Sequence, residues 1–150
     1  MMQPKKKWGW KTDVMKSKDD KKKLVATLDR WFSKFIRLRD SDQNGYCRCI
    51  TCGRFASWKN MDAGHFISRE KMATRYDEMN VHAQCQQCNR FKSGNQYEHG
   101  KSIDRMHGKG SADILSAKGG VRGCKLDSFY LQKLIEEYKE KVKNIHSTRC

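Results

Sequence analysis

The sequence predicts an α+β protein in which a small ββα unit, held by paired cysteines, lies between two amphipathic helices. Three observations predict it. Two Cys-x-x-Cys pairs, Cys49–Cys52 and Cys85–Cys88, bracket residues 53–84. The segment 46–100 around them has no long apolar run, so a centre other than a conventional hydrophobic core must hold it. On either side, apolar residues recur at spacings of three and four, the period of a helix with one buried face. With 150 residues there is material for one ordinary core, and 24–150 is expected to be a single domain.

Residues 1–23 carry nine Lys against three Asp and are expected to form a flexible basic arm that contacts phosphates or simply keeps the chain in solution. From 24 to 40, Leu24, Leu28, Trp31, Phe35 and Leu38, with Val25, Phe32 and Ile36 beside them, predict a helix. Arg30, Lys34, Arg37 and Arg39 fall largely on its other side, as a solvated face or a DNA contact. "DSDQNG" ends it with turn formers. Within 46–100, "FASWKNMDAGHF" suits a strand and turn leading into a second strand, and "QCQQCNRFKSGN" a knuckle opening a short helix. Residues 100–125, with "HGKG" and "AKGGVRG", are expected to be a glycine-rich, partly mobile connection around a short helix at 112–117. Leu131, Leu134, Ile135, Tyr138, Val142 and Ile145 predict a final helix over 126–146, packed on the first.

Charge narrows the function. Lys and Arg number 32 against 17 Asp and Glu, a net charge of +15 that suits a phosphate-bearing partner, nucleic acid above all. No apolar run approaches the roughly 20 residues of a membrane span, and the N-terminus lacks the apolar stretch of a signal peptide, so a soluble, cytoplasmic protein with no membrane partner is expected.

Seven cysteines in such a chain point to metal-held thiolates rather than disulfides. Cys49, Cys52, Cys85 and Cys88 match a closed tetrahedral Zn²⁺ site, which would hold the fold and do no chemistry. A first pair using Cys47 is the weaker alternative, because Gly53 follows Cys52 where the zinc turn needs a glycine. Cys124 and Cys150 are read as free thiols.

Between the knuckles, His65, Asn80 and Asn89 stand in an order that resembles the H-N-H (His-Me finger) nucleases: a base histidine on the first strand, an Asn five residues before the second knuckle, and a His or Asn just after it. Lys92 falls where that family often has a lysine. Two departures are evident. The last position is Asn rather than the commoner His, and Gly64 occupies the place where a carboxylate often precedes the histidine, leaving Asp62 as the nearest acid. A wider resemblance, carried by "FIRLRDSD", "CITCG", "DAGHF", "RYDEMNVHAQCQQCNRFKSGN" and "IEEYKEKVK", covers about residues 31–145. In that order these segments resemble the NinG, or Rap, recombination nucleases of lambdoid phages. The resemblance implies an endonuclease acting on branched DNA inside the bacterial host cell.

The chemistry fits the residue types. Phosphodiester hydrolysis needs a nucleophilic water, a sink for phosphorane charge and a way to release the 3′ oxygen, which one imidazole and one divalent ion can supply. His65 is the candidate general base. Asp62 and Asn89 are candidate oxygen ligands for Mg²⁺ or Mn²⁺. Asn80 would brace the loop beside His65 or reach the metal, and Arg69, Arg90 and Lys92 would hold phosphates. Bland readings stand beside these: Asp62 as a turn cap, His65 as a core residue or zinc ligand, His82 as a strand residue or second ligand, the cations as solvated charge. An H-N-H endonuclease of another role (restriction, homing or packaging) is the nearest rival function. A zinc-containing nucleic-acid-binding protein without catalysis is the rival from another class. Symmetric cutting of a four-way junction would require two active sites, hence a homodimer.

Overall fold

The computed structural model describes residues 18–150. Helix α1, Lys18–Arg39, begins earlier than its apolar period suggests. Asp19 and Asp20 in the first turn complement the positive end of the helix dipole, and the solvated Lys22 and Lys23 cost nothing there. Residues 18–23 are therefore helix rather than flexible arm, while 1–17 lie outside the described residues. The "DSDQNG" turn closes on Asp42, whose Oδ1 accepts from the amides of Asn44 and Tyr46, both at 2.9 Å.

Strands β1 (Tyr46–Arg48) and β2 (Phe55–Ser57) form one antiparallel hairpin. A single 3₁₀ turn, Trp58–Asn60, leads into β3 (Met61–His65). A loop containing the short helix α2 (Met72–Arg75) then returns the chain to β4 (Val81–Cys85). β3 and β4 make the second antiparallel pair, in register from Met61 opposite Cys85 to His65 opposite Val81.

The chain continues through one π-helical turn, Gln87–Phe91, into α3 (Gln96–His107), α4 (Ser111–Gly119) and α5 (Ser128–Thr148). The segment read as a mobile connection is thus largely helical. His99, Ile103 and Leu115 are buried in it, and Gly100 sits inside α3 because the Phe66 ring comes within 3.1 Å of where a Cβ would be. Only the three-residue turn 108–110 and residues 120–127 are irregular in this stretch.

Two cores result. Leu28, Phe32, Phe35, Ile36 and Leu38 of α1 pack with Leu131, Ile135, Tyr138 and Val142 of α5 and with Val81 of β4. Cys47, Cys49, Met61, Ala83, Cys85 and Cys88 form the other, rich in sulfur. The β3–β4 hairpin contributes to both, which fixes its ends against different neighbours.

Candidate functional site

At the Cys85 end of the hairpin, the Sγ atoms of Cys49, Cys52, Cys85 and Cys88 all lie within 4.8 Å of one another, and three of the four residues are buried. Cys52 and Cys85 are 3.7 Å apart, close to the ~3.8 Å edge of a tetrahedron with metal–sulfur bonds of about 2.3 Å. The first knuckle turns at Gly53, whose φ of +74° favours glycine and whose amide donates to the Cys49 carbonyl at 2.9 Å. Burial pushes the Cys49 thiol up, but Thr51 and backbone groups of Cys52, Cys85 and Thr51 outweigh it and bring it down to about 6. Burial and the neighbouring thiols instead push Cys85 up to about 12. Four thiolates this close can coexist only around a cation. Cys47 stands apart: its Sγ bonds to the Arg37 carbonyl, and burial raises it to about 11, so it stays a thiol.

Along β3, from Asp62 near the thiols to His65 at the other end, runs a cleft of about 710 Å³ lined by Arg37, Asp62, His65, Arg69, Asn89 and Arg90, among others. His65 closes β3 with its Nε2 at 3.0 Å from the Arg75 carbonyl oxygen. A carbonyl only accepts, so the proton resides on Nε2 and Nδ1 is the basic nitrogen. Burial lowers the His65 pKa, and the Arg75 and Ala63 carbonyls offset this only in part, so the ring is neutral at neutral pH. Arg75 is itself tied down: Nε and Nη2 donate to the two oxygens of Asp29 on α1, and the Tyr76 hydroxyl donates to Asp29 at 2.9 Å.

Asp62 has both oxygens engaged. Oδ1 accepts from Arg90 Nη2 at 2.8 Å; Oδ2 accepts from Arg90 Nε at 2.8 Å and Asn89 Nδ2 at 2.9 Å. Burial would raise this carboxyl, but Arg90 and Asn89 hold it below the usual carboxylate range. A base, a carboxylate, an amide and three arginines thus share one concave surface, an arrangement able to bind a phosphate and take a proton beside it.

A family profile described as "Bacteriophage Lambda NinG protein" matches residues 2–148. The chain belongs to the NinG family. No curated protein and no solved structure matches it.

In this NinG family member, His65, Asp62, Asn89, Arg69 and Arg90 converge on the cleft, whereas Lys92 is exposed outside its lining. Asn80 is also outside it, fully buried. Its Oδ1 accepts from the Ile67 amide at 2.8 Å, and its Nδ2 donates to the carbonyls of Ile67 and Thr74, both at 3.0 Å. It pins the loop that presents the Arg75 carbonyl, which makes it a positioning residue, with its Oδ1 buried and turned to the Ile67 amide.

His82 does not line the cleft either; its Nε2 meets His107 Nε2 at 3.0 Å and its ring packs on His99. Asp62 accepts from side chains and caps no turn. Gly64 acquires a reason as well: a Cβ there would lie 2.2 Å from Gln84 Oε1 and 2.8 Å from Gln84 Cβ. Gln84 in turn donates to the Gly94 carbonyl at 2.7 Å, holding the turn behind Asn89 against the hairpin. Asp29, Arg75, Tyr76 and Gln84 are the supporting residues the sequence reading missed. The one available signal was Asp29, an acid next to Leu28 on the apolar side of α1.

Proposed function

We propose that this NinG protein is a metal-dependent DNA endonuclease of the H-N-H type, acting on branched recombination intermediates such as Holliday junctions and D-loops. One observation carries the reading: His65 is a neutral imidazole whose Nε2 proton is fixed by a main-chain carbonyl, leaving Nδ1 as a base in a cleft that also holds Asp62, Asn89 and three arginines. The antiparallel hairpin β3–β4 and the helical turn Gln87–Phe91 after it support this reading. A pure nucleic-acid binder has no use for such a base.

The four thiols suit a structural Zn²⁺, which takes four sulfurs at tetrahedral positions and keeps none open for chemistry. For a divalent ion in the cleft, the donors are one carboxylate, Asp62, and the amide oxygen of Asn89. Such a sparse oxygen set suits Mg²⁺ or Mn²⁺, which keep several waters and complete their shell with substrate phosphate. Asp62 becomes available when Arg90, whose side chain is 58% exposed, swings away. When bound, the ion would supply charge neutralisation for the phosphorane and for the departing 3′ oxygen.

The chain's own residues do the rest. His65 Nδ1 removes the proton from the attacking water, and the Arg75 carbonyl stabilises the imidazolium that results through Nε2–H. Arg69, and Arg90 once released, hold the phosphate on either side of the scissile bond. Phe32, with its ring 6.5 Å from that of His65, keeps the inner side of the imidazole dry.

The test is cleavage of linear, forked and four-way DNA by wild-type and His65→Ala proteins with Mg²⁺, Mn²⁺ or no added ion. Wild-type protein is expected to cut branched DNA with either ion, and His65→Ala to bind without cutting. Full cutting by a folded His65→Ala protein would sink the assignment.

A further inference from the structure

Neither the thiol centre nor the cleft uses the outer face of the β1–β2 hairpin. Alternation along the strands turns Cys47 and Ala56 inward and puts Tyr46, Arg48, Phe55 and Ser57 together on the other side. Tyr46 and Phe55 are 45% and 53% exposed, yet their rings are already stacked, 5.3 Å between centroids and 14° between planes. The Arg48 guanidinium lies over Phe55 at 5.3 Å. Beside the stack runs a groove of about 810 Å³ to which α3 contributes Ser102, Arg105 and Met106.

The charge of this surface is cationic in effect. The two carboxylates in the groove are committed: Asp40 to Arg39 and the Ala83 amide, Asp42 to the turn amides of Asn44 and Tyr46. Arg48 and Arg105 have no carboxylate partner among the described residues, and Arg105 only donates to Ser102. Exposed stacked rings with guanidinium groups that no carboxylate neutralises match a nucleotide, base against ring and phosphate against cation. An apolar peptide would have no use for the two arginines, and a second copy of this +15 chain would bring like charge to them.

We propose that this hairpin face is a stacking platform for an unpaired base of a DNA strand, with Arg48 and Arg105 taking the flanking phosphates. The knuckle at residues 49–54 joins the two strands, so the thiol centre fixes the spacing of the rings. The proposal rests on the nucleic-acid part of the nuclease reading and not on cleavage.

Binding of the full chain to an unpaired oligonucleotide and to a duplex of equal length, without added Mg²⁺ or Mn²⁺, tests it. The oligonucleotide carries an adenine analogue whose fluorescence falls on stacking. Wild-type protein should quench it. Phe55→Ala, and Phe55→Leu, which keeps apolar cover over Tyr46, should each bind the unpaired strand roughly tenfold more weakly and restore the fluorescence, with duplex binding almost unchanged. Zinc content must equal the wild type's.

Equal losses on both DNAs would make Phe55 a hairpin brace, and no loss would leave the rings without this role; either overturns the platform. A dimer that dissociates in Phe55→Ala would assign the face to a second copy and overturn it too. No DNA binding by wild-type protein would overturn the platform and the nuclease reading together. A Phe55 variant that binds both DNAs normally, and cuts as the wild type does once Mg²⁺ is added, would sink the platform and spare the nuclease.

Discussion

The two ends of the β3–β4 hairpin are held by different physics. At the Cys85 end the hairpin closes on four clustered thiols. At the His65 end one buried amide, Asn80, makes three hydrogen bonds, and an Asp29–Arg75 ion pair ties the loop to α1. With the proposed zinc bound, the first end would depend on an ion from outside and be all-or-none; the second is intrinsic to the chain and can be weakened by degrees. This difference lets fold and chemistry be perturbed separately. A base must be aimed to a fraction of an ångström, which directional hydrogen bonds do, whereas a metal only has to hold two segments together.

The largest effect should come from the thiol end. Cys88→Ser is expected to abolish metal binding, unfold the 46–100 unit and eliminate cleavage, as read by elemental analysis and circular dichroism. Retained zinc with an intact fold would erase the contrast between the ends. His65→Ala should lower cleavage by on the order of 10²- to 10⁴-fold while metal content, fold and DNA affinity persist. A parallel loss of affinity would make His65 a binding residue.

Asn80→Ala tests the graded character of the second end. Removing three buried hydrogen bonds should cost about 3 kcal/mol, seen in denaturant unfolding, and should slow cleavage with the thiol centre intact. Loss of zinc in this variant would mean that the two ends melt as one.

Acid sharpens the comparison further. Burial lowers His82 and His99 from 6.5 to about 3, and His65 is lowered as well. Groups with depressed folded pKa values bind protons on unfolding, so the stability they contribute is full above pH 6.5 and is lost as pH falls towards 3. Thiolate protonation would release zinc in acid too, so the control is His99→Phe, which should flatten the dependence of unfolding on pH without changing zinc content. The same burial should put the acid limb of cleavage below the ordinary histidine pKa of about 6.5.

The smallest effect belongs to the chain before α1. Deleting residues 1–17, which carry Lys5, Lys6, Lys7, Lys11 and Lys16, should reduce the salt dependence of DNA binding by up to roughly 4.5 in log–log slope and leave both hairpin ends untouched. An unchanged slope would remove those lysines from the phosphate contacts.

The helices and the thiol centre were legible in the sequence because their signals are local or type-restricted. An apolar period of three and four needs only its own neighbours, and Leu28, Phe32 and Phe35 are buried as the period requires. Cys-x-x-Cys is chemically narrow. The early start of α1 and the order of residues 100–119 were not legible: solvated lysines and glycines carry no period, and the reason for a glycine inside α3, the Phe66 ring packed against Gly100, lies 34 residues away in the chain.

The sequence by itself determined which atoms are available for chemistry: four thiols, an imidazole at the end of a strand, a carboxylate three residues before it and an amide after the second knuckle. Only the tertiary structure decided their states. His65 carries its proton on Nε2 because of a carbonyl ten residues away; Asp62 is ionised and occupied because Arg90, 28 residues on, reaches both its oxygens; and Arg75 is anchored by Asp29, 46 residues before it. Periodicity and spacing report neighbours along the chain. Hydrogen bonds and charge act across space within a few ångströms, where partners become known only once the chain has folded.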